Sequence, residues 1–300
     1  MIQQKIMGRI VKSLGGFYYV APQSGGLVVE CRARGAFRQQ NIKPCVGDWA
    51  TVELTEQGTG YVVQLEPRSN SLVRPPLANL DQLVPVVSIA DPTPYAFVLD
   101  KLIAIAEYQK IEPVIVITKC DLADPKEFAD IYRKAGFAVY ETRTLERQGI
   151  QAVMEMLKDK TSAFCGNSGA GKSTLLNAID PRLSLDTGDI SQKLGRGRHT
   201  TRHVELFELP QGGFVADTPG FSAVDLEKFQ TILKDELAGC FREMHDYEGK
   251  CRFRGCSHTK EAGCAVLQAV KDGEISQSRH QSYLNLYEQA KNIKEWELNR

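Results

Sequence analysis

Up to residue 66 the apolar positions come in short alternating bursts: Ile6–Lys12, Phe17–Ala21, Leu27–Arg32, Trp49–Leu54 and Tyr61–Leu65. In the third burst Leu27, Val29 and Cys31 fall on one face and Val28, Glu30 and Arg32 on the other, the two-residue period of a half-buried strand. Gly15-Gly16, Gly25-Gly26, Gly47 and Gly58 punctuate the bursts. Five short strands in so little chain predict a small closed barrel. An OB-fold is the commonest five-stranded form, and an SH3-like barrel is the alternative. Pro67 to Pro76, with Arg68, Ser69 and Asn70 between, reads as a linker.

From Leu83 the texture changes. Val84–Ile89 and Val114–Thr118 are near-continuous β-branched runs, as expected of strands covered on both faces of a parallel sheet. Tyr95–Gln109 between them has helical spacing. Phe164–Cys165 leads through a glycine loop into a helix at Ser173–Ile179, and Gly213–Ala216 is a further strand. This alternation predicts a βαβ domain. After Asp225 the strands stop, and the remainder reads as helical around a cysteine cluster. Its last segment sets Tyr283, Leu286, Tyr287, Ala290 and Ile293 on one stripe, a packing face. The predicted division is therefore 1–68, 69–225 and 226–300.

Composition narrows the class. With 42% hydrophobic and 25% charged residues the chain is ordinary globular protein, neither disordered nor fibrous. No apolar run approaches the ~18–20 residues of a membrane span, and no secretory signal is expected in the mixed first twenty positions. Eight cysteines, five of them scattered, do not form a disulfide framework, so a cytoplasmic protein is expected. Charge balances at 37 basic and 37 acidic side chains, yet it is unevenly spread. Lys193, Arg196, Arg198 and Arg202 share a stretch without acids, as do Lys250, Arg252, Arg254 and Lys260. The barrel segment is also net basic. Such patches suit nucleic acid, although any one of them alone reads equally well as solvated surface.

The chemistry concentrates in four places. Gly166-Asn167-Ser168-Gly169-Ala170-Gly171-Lys172-Ser173 matches the phosphate-binding loop, and it lies between a predicted strand and a predicted helix. Its backbone N–H groups can converge on phosphate oxygens at a helix N-terminus. Lys172 would reach the β- and γ-phosphates, and the Ser173 hydroxyl would ligate Mg²⁺. Asp217-Thr218-Pro219-Gly220 follows a strand, so Asp217 can hold Mg²⁺ through water and the Gly220 N–H can touch a γ-phosphate. Thr118-Lys119-Cys120-Asp121 ends another strand where a guanine-specific enzyme carries Asn-Lys-x-Asp. Asp121 can accept both N1–H and the 2-amino group of guanine, whereas adenine would present an acceptor to it. Thr118 in place of Asn shortens one hydrogen-bonding group. Finally, Cys251, Cys256, His258 and Cys264 offer three thiolates and an imidazole, the donor set of a closed structural Zn²⁺ site. Cys240 is a more distant substitute ligand, and reduced core cysteines beside a surface histidine are the metal-free alternative.

The motif order is unusual, because the base-reading motif precedes the phosphate loop. With the strand-rich start and the late cysteine cluster, it makes the whole chain resemble the ribosome small subunit-dependent GTPase A family. These are circularly permuted GTPases of bacterial small-subunit assembly. The resemblance implies an N-terminal OB-fold, a permuted P-loop GTPase core and a C-terminal helical zinc-binding domain. It also implies GTP hydrolysis to GDP, stimulated by the small ribosomal subunit and its rRNA. On this chain the GTP-binding positions fall at Thr118, Lys119, Cys120, Asp121, Gly166–Thr174 and Gly220. The first switch falls at Gly197–Thr201, with Thr201, or else Thr200, completing the Mg²⁺ shell. The guanine-supporting loop falls near Tyr140–Thr144, where no residue matches clearly.

Phe221 stands where Ras-like enzymes carry a water-orienting Gln, so His199 is the candidate catalytic residue beside Lys172. Gly169 stands where some potassium-dependent GTPases carry Asn, so no potassium site is expected. The protein is expected to act as a monomer without membrane attachment. Two other classes compete: a P-loop ATPase or small-molecule kinase, against which Asp121 argues, and a GTP-gated rRNA-binding module with negligible hydrolysis.

Overall fold

In the computed structural model, the described residues are 4–35, 37, 42–183, 204–217, 232–291 and 293. They form two compact units. One holds the described residues within Met1–Asp81, Met156–Phe164 and Asp189–Phe221, and the other those within Gln82–Glu155, Cys165–Gly188 and Ser222–Arg300.

The first unit begins with β1 (Lys5–Leu14), β2 (Phe17–Pro22), β3 (Val29–Ala33), β4 (Trp49–Leu54) and β5 (Gly60–Leu65). The strands run in the order β1-β2-β3-β5-β4, and β1 pairs with β4 to close the barrel. The β3–β5 pair is parallel and the other four are antiparallel. This closed five-stranded order is the OB-fold, so the SH3-like alternative falls away. A register shift in β1 between Ile10 and Lys12 bends the strand so that its two halves can serve different neighbours. Ile10, Val20, Cys31, Ala50, Val52 and Val62 fill the interior.

Two sequence expectations need correction here. The third strand begins at Val29, because the Gly25-Gly26 turn runs on with positive φ and leaves Leu27 90% exposed. The supposed linker is folded: β6 (Ser71–Leu72) pairs with β7 (Leu77–Ala78), and Leu72, Leu77 and Ala78 are buried. Side chains hold it in place. Arg68 donates to both carboxylate oxygens of buried Asp48 at 2.7 and 2.8 Å, and Asn79 accepts from the Ser69 N–H at 2.9 Å.

In the second unit β8 (Gln82–Ser88), β9 (Glu112–Thr118) and β10 (Ala138–Glu141) form a parallel sheet with β9 central. α1 (Ala96–Tyr108) and α2 (Lys126–Lys134) make the crossovers, and α3 (Ile150–Leu157) follows. Every β9 residue after Glu112 is buried, as the continuous apolar run requires. Leu99, Ile103, Ile115, Ile117, Ala129, Tyr132 and Phe137 are the core of this βαβ layer.

The chain then passes through β11 (Thr161–Cys165), which is wholly buried, into α4 (Lys172–Ile179). Within the first unit, β11 lies parallel to β13 (Phe214–Asp217), which is antiparallel to β12 (Glu205–Glu208). β12 in turn meets β1 at Lys12 and Glu205, whose side chains pair at 2.7 Å. Arg9 fastens this extension to the barrel. Its guanidinium lies over the rings of Trp49 and Phe214 and donates to Thr161 Oγ1 and to the Asn79 carbonyl.

The C-terminal part of the second unit contains α5 (Arg242–His245), α6 (Ala265–Lys271) and α7 (Gln277–Lys291). Tyr283, Leu286 and Ala290 are buried, so the predicted stripe is a packing face. Phe241, Met244, Val266 and Tyr283 share a core with Ala104 of α1. One polar residue fixes the arrangement. Arg279 is 1% exposed and donates to Asp100 of α1 at 2.7 Å and to Glu243 of α5 at 2.7 and 3.2 Å. The rings of Tyr132, Phe137 and Phe241 lie 5.8, 5.4 and 4.7 Å from its guanidinium.

Candidate nucleotide site and metal centre

The phosphate loop leaves β11 at Cys165 and enters α4 at Lys172, one residue earlier than its sequence suggested. Gly166 has φ +138°, and a Cβ there would lie 2.3 Å from the Val86 carbonyl oxygen, so only glycine fits. Gly171, at φ +84°, is the N-cap of α4 and turns the chain into the helix. Asn167, Ser168 and Gly169 are exposed, Ala170 is buried, and Ser173 and Thr174 occupy the first helical turn. The Lys172 ammonium donates to the carbonyls of Gly166 and Asn167 at 2.6 and 2.8 Å. Burial lowers its pKa, an environment in which anionic phosphate is a favourable partner. Anions are also drawn to the N-terminus of α4.

The base motif lies against this loop within the same unit. Thr118, 1% exposed at the end of β9, donates its hydroxyl hydrogen to the Ala170 carbonyl at 2.7 Å. The shorter side chain thus ties the base-reading turn to the phosphate loop. Lys119 takes φ +58° and its ammonium donates to the Asp91 carbonyl, which holds the turn that exposes Asp121. Cys120 is buried; its N–H donates to the Thr142 carbonyl at 3.2 Å, and the Thr142 N–H donates to Ile117 at 2.8 Å. Thr142 therefore lies beside the base motif, within the Tyr140–Thr144 stretch where the sequence suggested a supporting loop but matched no residue. Leu145 just after it is largely exposed. The signal was the pair of backbone hydrogen bonds, which composition does not carry.

Asp217 ends β13 in the first unit, in register with Glu205. His199, Thr200, Thr201, Gly220 and Phe221 lie outside the described residues.

The four metal candidates converge. The ligand atoms of Cys251, Cys256, His258 and Cys264 all lie within 4.8 Å of one another. Cys251 Sγ is 3.6 Å from His258 Nδ1 and 3.8 Å from Cys264 Sγ, and His258 Nδ1 is 3.3 Å from Cys264 Sγ. A tetrahedron with Zn–S of about 2.3 Å requires sulfurs about 3.8 Å apart, so the donors fit Zn²⁺. Burial lowers the pKa of His258, which favours the neutral imidazole a metal needs. Burial also pushes the Cys256 thiol up to about 12, so a cation is required to hold it as thiolate. Backbone N–H groups of Ala265 and Leu267 donate to the sulfurs of Cys251 and Cys264. Glu261 organises the loop by accepting from the N–H groups of Ser257, Thr259 and Lys260. Cys240 is buried away from the cluster, beside the Glu236 carbonyl, and is not a fifth donor.

A phosphate loop and a base-reading turn in one βαβ unit, with the turn earlier in the chain, behind an OB barrel and ahead of a Cys₃His cluster, define a circularly permuted GTPase. The RsgA GTPase model matches residues 65–227, and the RsgA N-terminal domain model matches 7–62. The small ribosomal subunit biogenesis GTPase RsgA of Caldanaerobacter subterraneus subsp. tengcongensis is 46% identical over 291 residues, 96% of this chain and 97% of that protein. The like-named protein of Bacillus subtilis is 42% identical over 296 residues, 96% and 98% of the two chains. Among solved structures, YjeQ from Thermotoga maritima superposes with a TM-score of 0.82 at 32% identity, covering 97% of this chain and all (100%) of that one. YloQ, described as a circularly permuted GTPase, gives 0.81 at 37% identity, with 97% and 96% covered. The chain belongs to the RsgA GTPase family.

Proposed function

We propose that this protein docks on the small ribosomal subunit late in its maturation and hydrolyses GTP to GDP and phosphate there, faster than it does alone. The observation that supports the reading is the Thr118–Ala170 hydrogen bond, which joins the segment read as base-recognising to the phosphate loop. The names of the relatives supply the ribosomal partner.

In this reading Asp121 accepts from the guanine edge and the Lys119 stem lies along the base, with Cys120 as a spacer. The N–H groups of Gly166 to Gly171 and the Lys172 ammonium bind the phosphates, and Thr174 supports the first turn. Ser173, Thr201 and Asp217 hold Mg²⁺, which neutralises phosphate charge when bound. Gly220 meets the γ-phosphate, and His199 orients water when the partner is bound. One structural Zn²⁺ sits on Cys251, Cys256, His258 and Cys264.

Docking would use the basic side of the barrel, where Arg32 lies over the Phe17 ring at 4.6 Å beside Arg34 and Lys43. We retain 1–68, 69–225 and 226–300 as the functional division, and a monomer working in the cytoplasm. Among the described residues no helix is long and apolar enough to cross a membrane.

Phe221 favours the second reading, a GTP-gated rRNA-binding module with negligible hydrolysis. Phosphate release from GTP and from ATP, each with and without small subunits, separates the two. The proposal expects GTP turnover to rise about tenfold or more with subunits while ATP stays inert. Flat rates would leave the binding module. Lys172→Ala should abolish turnover, and His199→Ala should lose the stimulated part alone.

A further inference from the structure

Among the described residues Phe253 is the one phenylalanine or tryptophan classed as exposed, at 52%. An aromatic ring left in water on a loop is ordinarily free to fold back against its neighbours, but this one is held out. Cys251 and Cys256 pin the loop at both ends in the metal cluster. The Arg252 N–H donates to the Gly263 carbonyl at 3.0 Å, and the Arg252 stem packs where a Gly263 Cβ would be. The ring's neighbours in the chain are basic. Arg252 lies over it at 5.4 Å, and Lys250, Arg254 and Lys260 are exposed nearby in sequence. None of these four cations forms an ion pair with a described residue.

Beside the ring is an open cavity of about 720 Å³, lined by Asp235, Glu236, His245, Glu248, Phe253 and Arg254 among others. These features do not suit a duplex, whose stacked bases offer no face to an aromatic ring and whose phosphates the acids would repel. They suit a nucleotide with its base turned out of the helix. The base would stack on the ring, its amino and imino N–H groups could meet Asp235 or Glu248 of the cavity, and Arg252 and Arg254 could meet the flanking phosphates.

We propose that Phe253 is the stacking platform for an unpaired nucleotide of ribosomal RNA, with Arg252 and Arg254 holding the flanking phosphates. The inference rests on the reading of a subunit-binding GTPase given above.

The test uses whole protein loaded with a non-hydrolysable GTP analogue and purified small subunits. Phe253→Ala should weaken binding about 5- to 150-fold, the range of one lost base–aromatic stack. Phe253→Trp should retain binding and Phe253→Leu should not restore it. The salt dependence should be unchanged in Phe253→Ala and become shallower, by about 0.7 per lost contact, in Arg252→Gln and Arg254→Gln. Zinc content per chain checks that each variant folds. Independently, Phe253→p-benzoylphenylalanine irradiated on the subunit should cross-link to rRNA; this arm decides the matter if the alanine variant loses its zinc.

Wild-type affinity in Phe253→Ala, full rescue by leucine, or a cross-link to a ribosomal protein overturns the inference while leaving the GTPase reading intact. If the unaltered protein fails to bind subunits, both fall together.

Discussion

Replacing Arg279 by Met keeps most of the side-chain volume and removes the cation. Asp100, 0% exposed, and Glu243 would then be buried carboxylates without their counter-charge. Breaking one side of a buried ion pair costs about 3–5 kcal/mol, and the three surrounding rings, which a thioether can still pack against, recover little of it. The pH dependence carries the sign of the effect. Burial, the largest influence on Asp100, already raises its pKa, and Arg279 opposes that rise. Without the arginine the folded-state pKa climbs further above the unfolded value. The folded variant then binds a proton that the unfolded chain does not, and it gains stability as pH falls from 7 toward the ordinary carboxylate range. That gain is lost again as pH rises through the folded-state pKa. Urea midpoints by circular dichroism at several pH values, with hydrogen exchange of α1 and α7, measure both effects. Adding Asp100→Asn to the variant should recover part of the loss. A deficit below about 1 kcal/mol, or one that does not change with pH, would refute the account of a buried, charge-paired pin.

Three other substitutions test the site. Gly166→Ala places a methyl group against the Val86 carbonyl at a left-handed φ, so titration with a fluorescent GTP analogue should show affinity reduced about 100-fold or more, with the circular dichroism of the barrel unchanged. Thr118→Val leaves the buried Ala170 carbonyl without its donor and should weaken GDP and GTP alike by about 5- to 150-fold; Thr118→Ser should bind within a few-fold of the parent. Cys256→Ser should reduce zinc, measured by elemental analysis, from one equivalent to substoichiometric levels and increase proteolysis around residues 250–264.

The parts of the molecule that were legible in the sequence are those whose chemistry is local. The phosphate loop is contiguous, its glycines are dictated by backbone geometry, and the metal donors lie within fourteen positions, Cys251 to Cys264. The barrel strands showed through their alternation. The β6–β7 hairpin did not, because two-residue strands have no period and the amide side chains of Asn70 and Asn79 that hold it carry no hydrophobic signal. The short, charged α2 and the four-residue β10 escaped for similar reasons. Arg279 was hidden differently. On its own helix it reads as a solvent-facing cation, and its burial becomes visible only when α1, α2 and α5 assemble around it. The role of Thr118 was read as a weakened base contact, since sequence cannot show that Ala170 is within its reach.

Arg279 reaches Asp100 from 179 residues further along the chain. During synthesis, α1 and the sheet it covers leave the translating ribosome long before their counter-ion exists. Until α7 arrives, Asp100 has no counter-charge, so covering it beneath α1 carries the cost of an unpaired carboxylate or of its protonation. The Asp100–Arg279 pair is thus among the last contacts of the fold that can form, and α1 gains its full packing only when the end of the chain arrives.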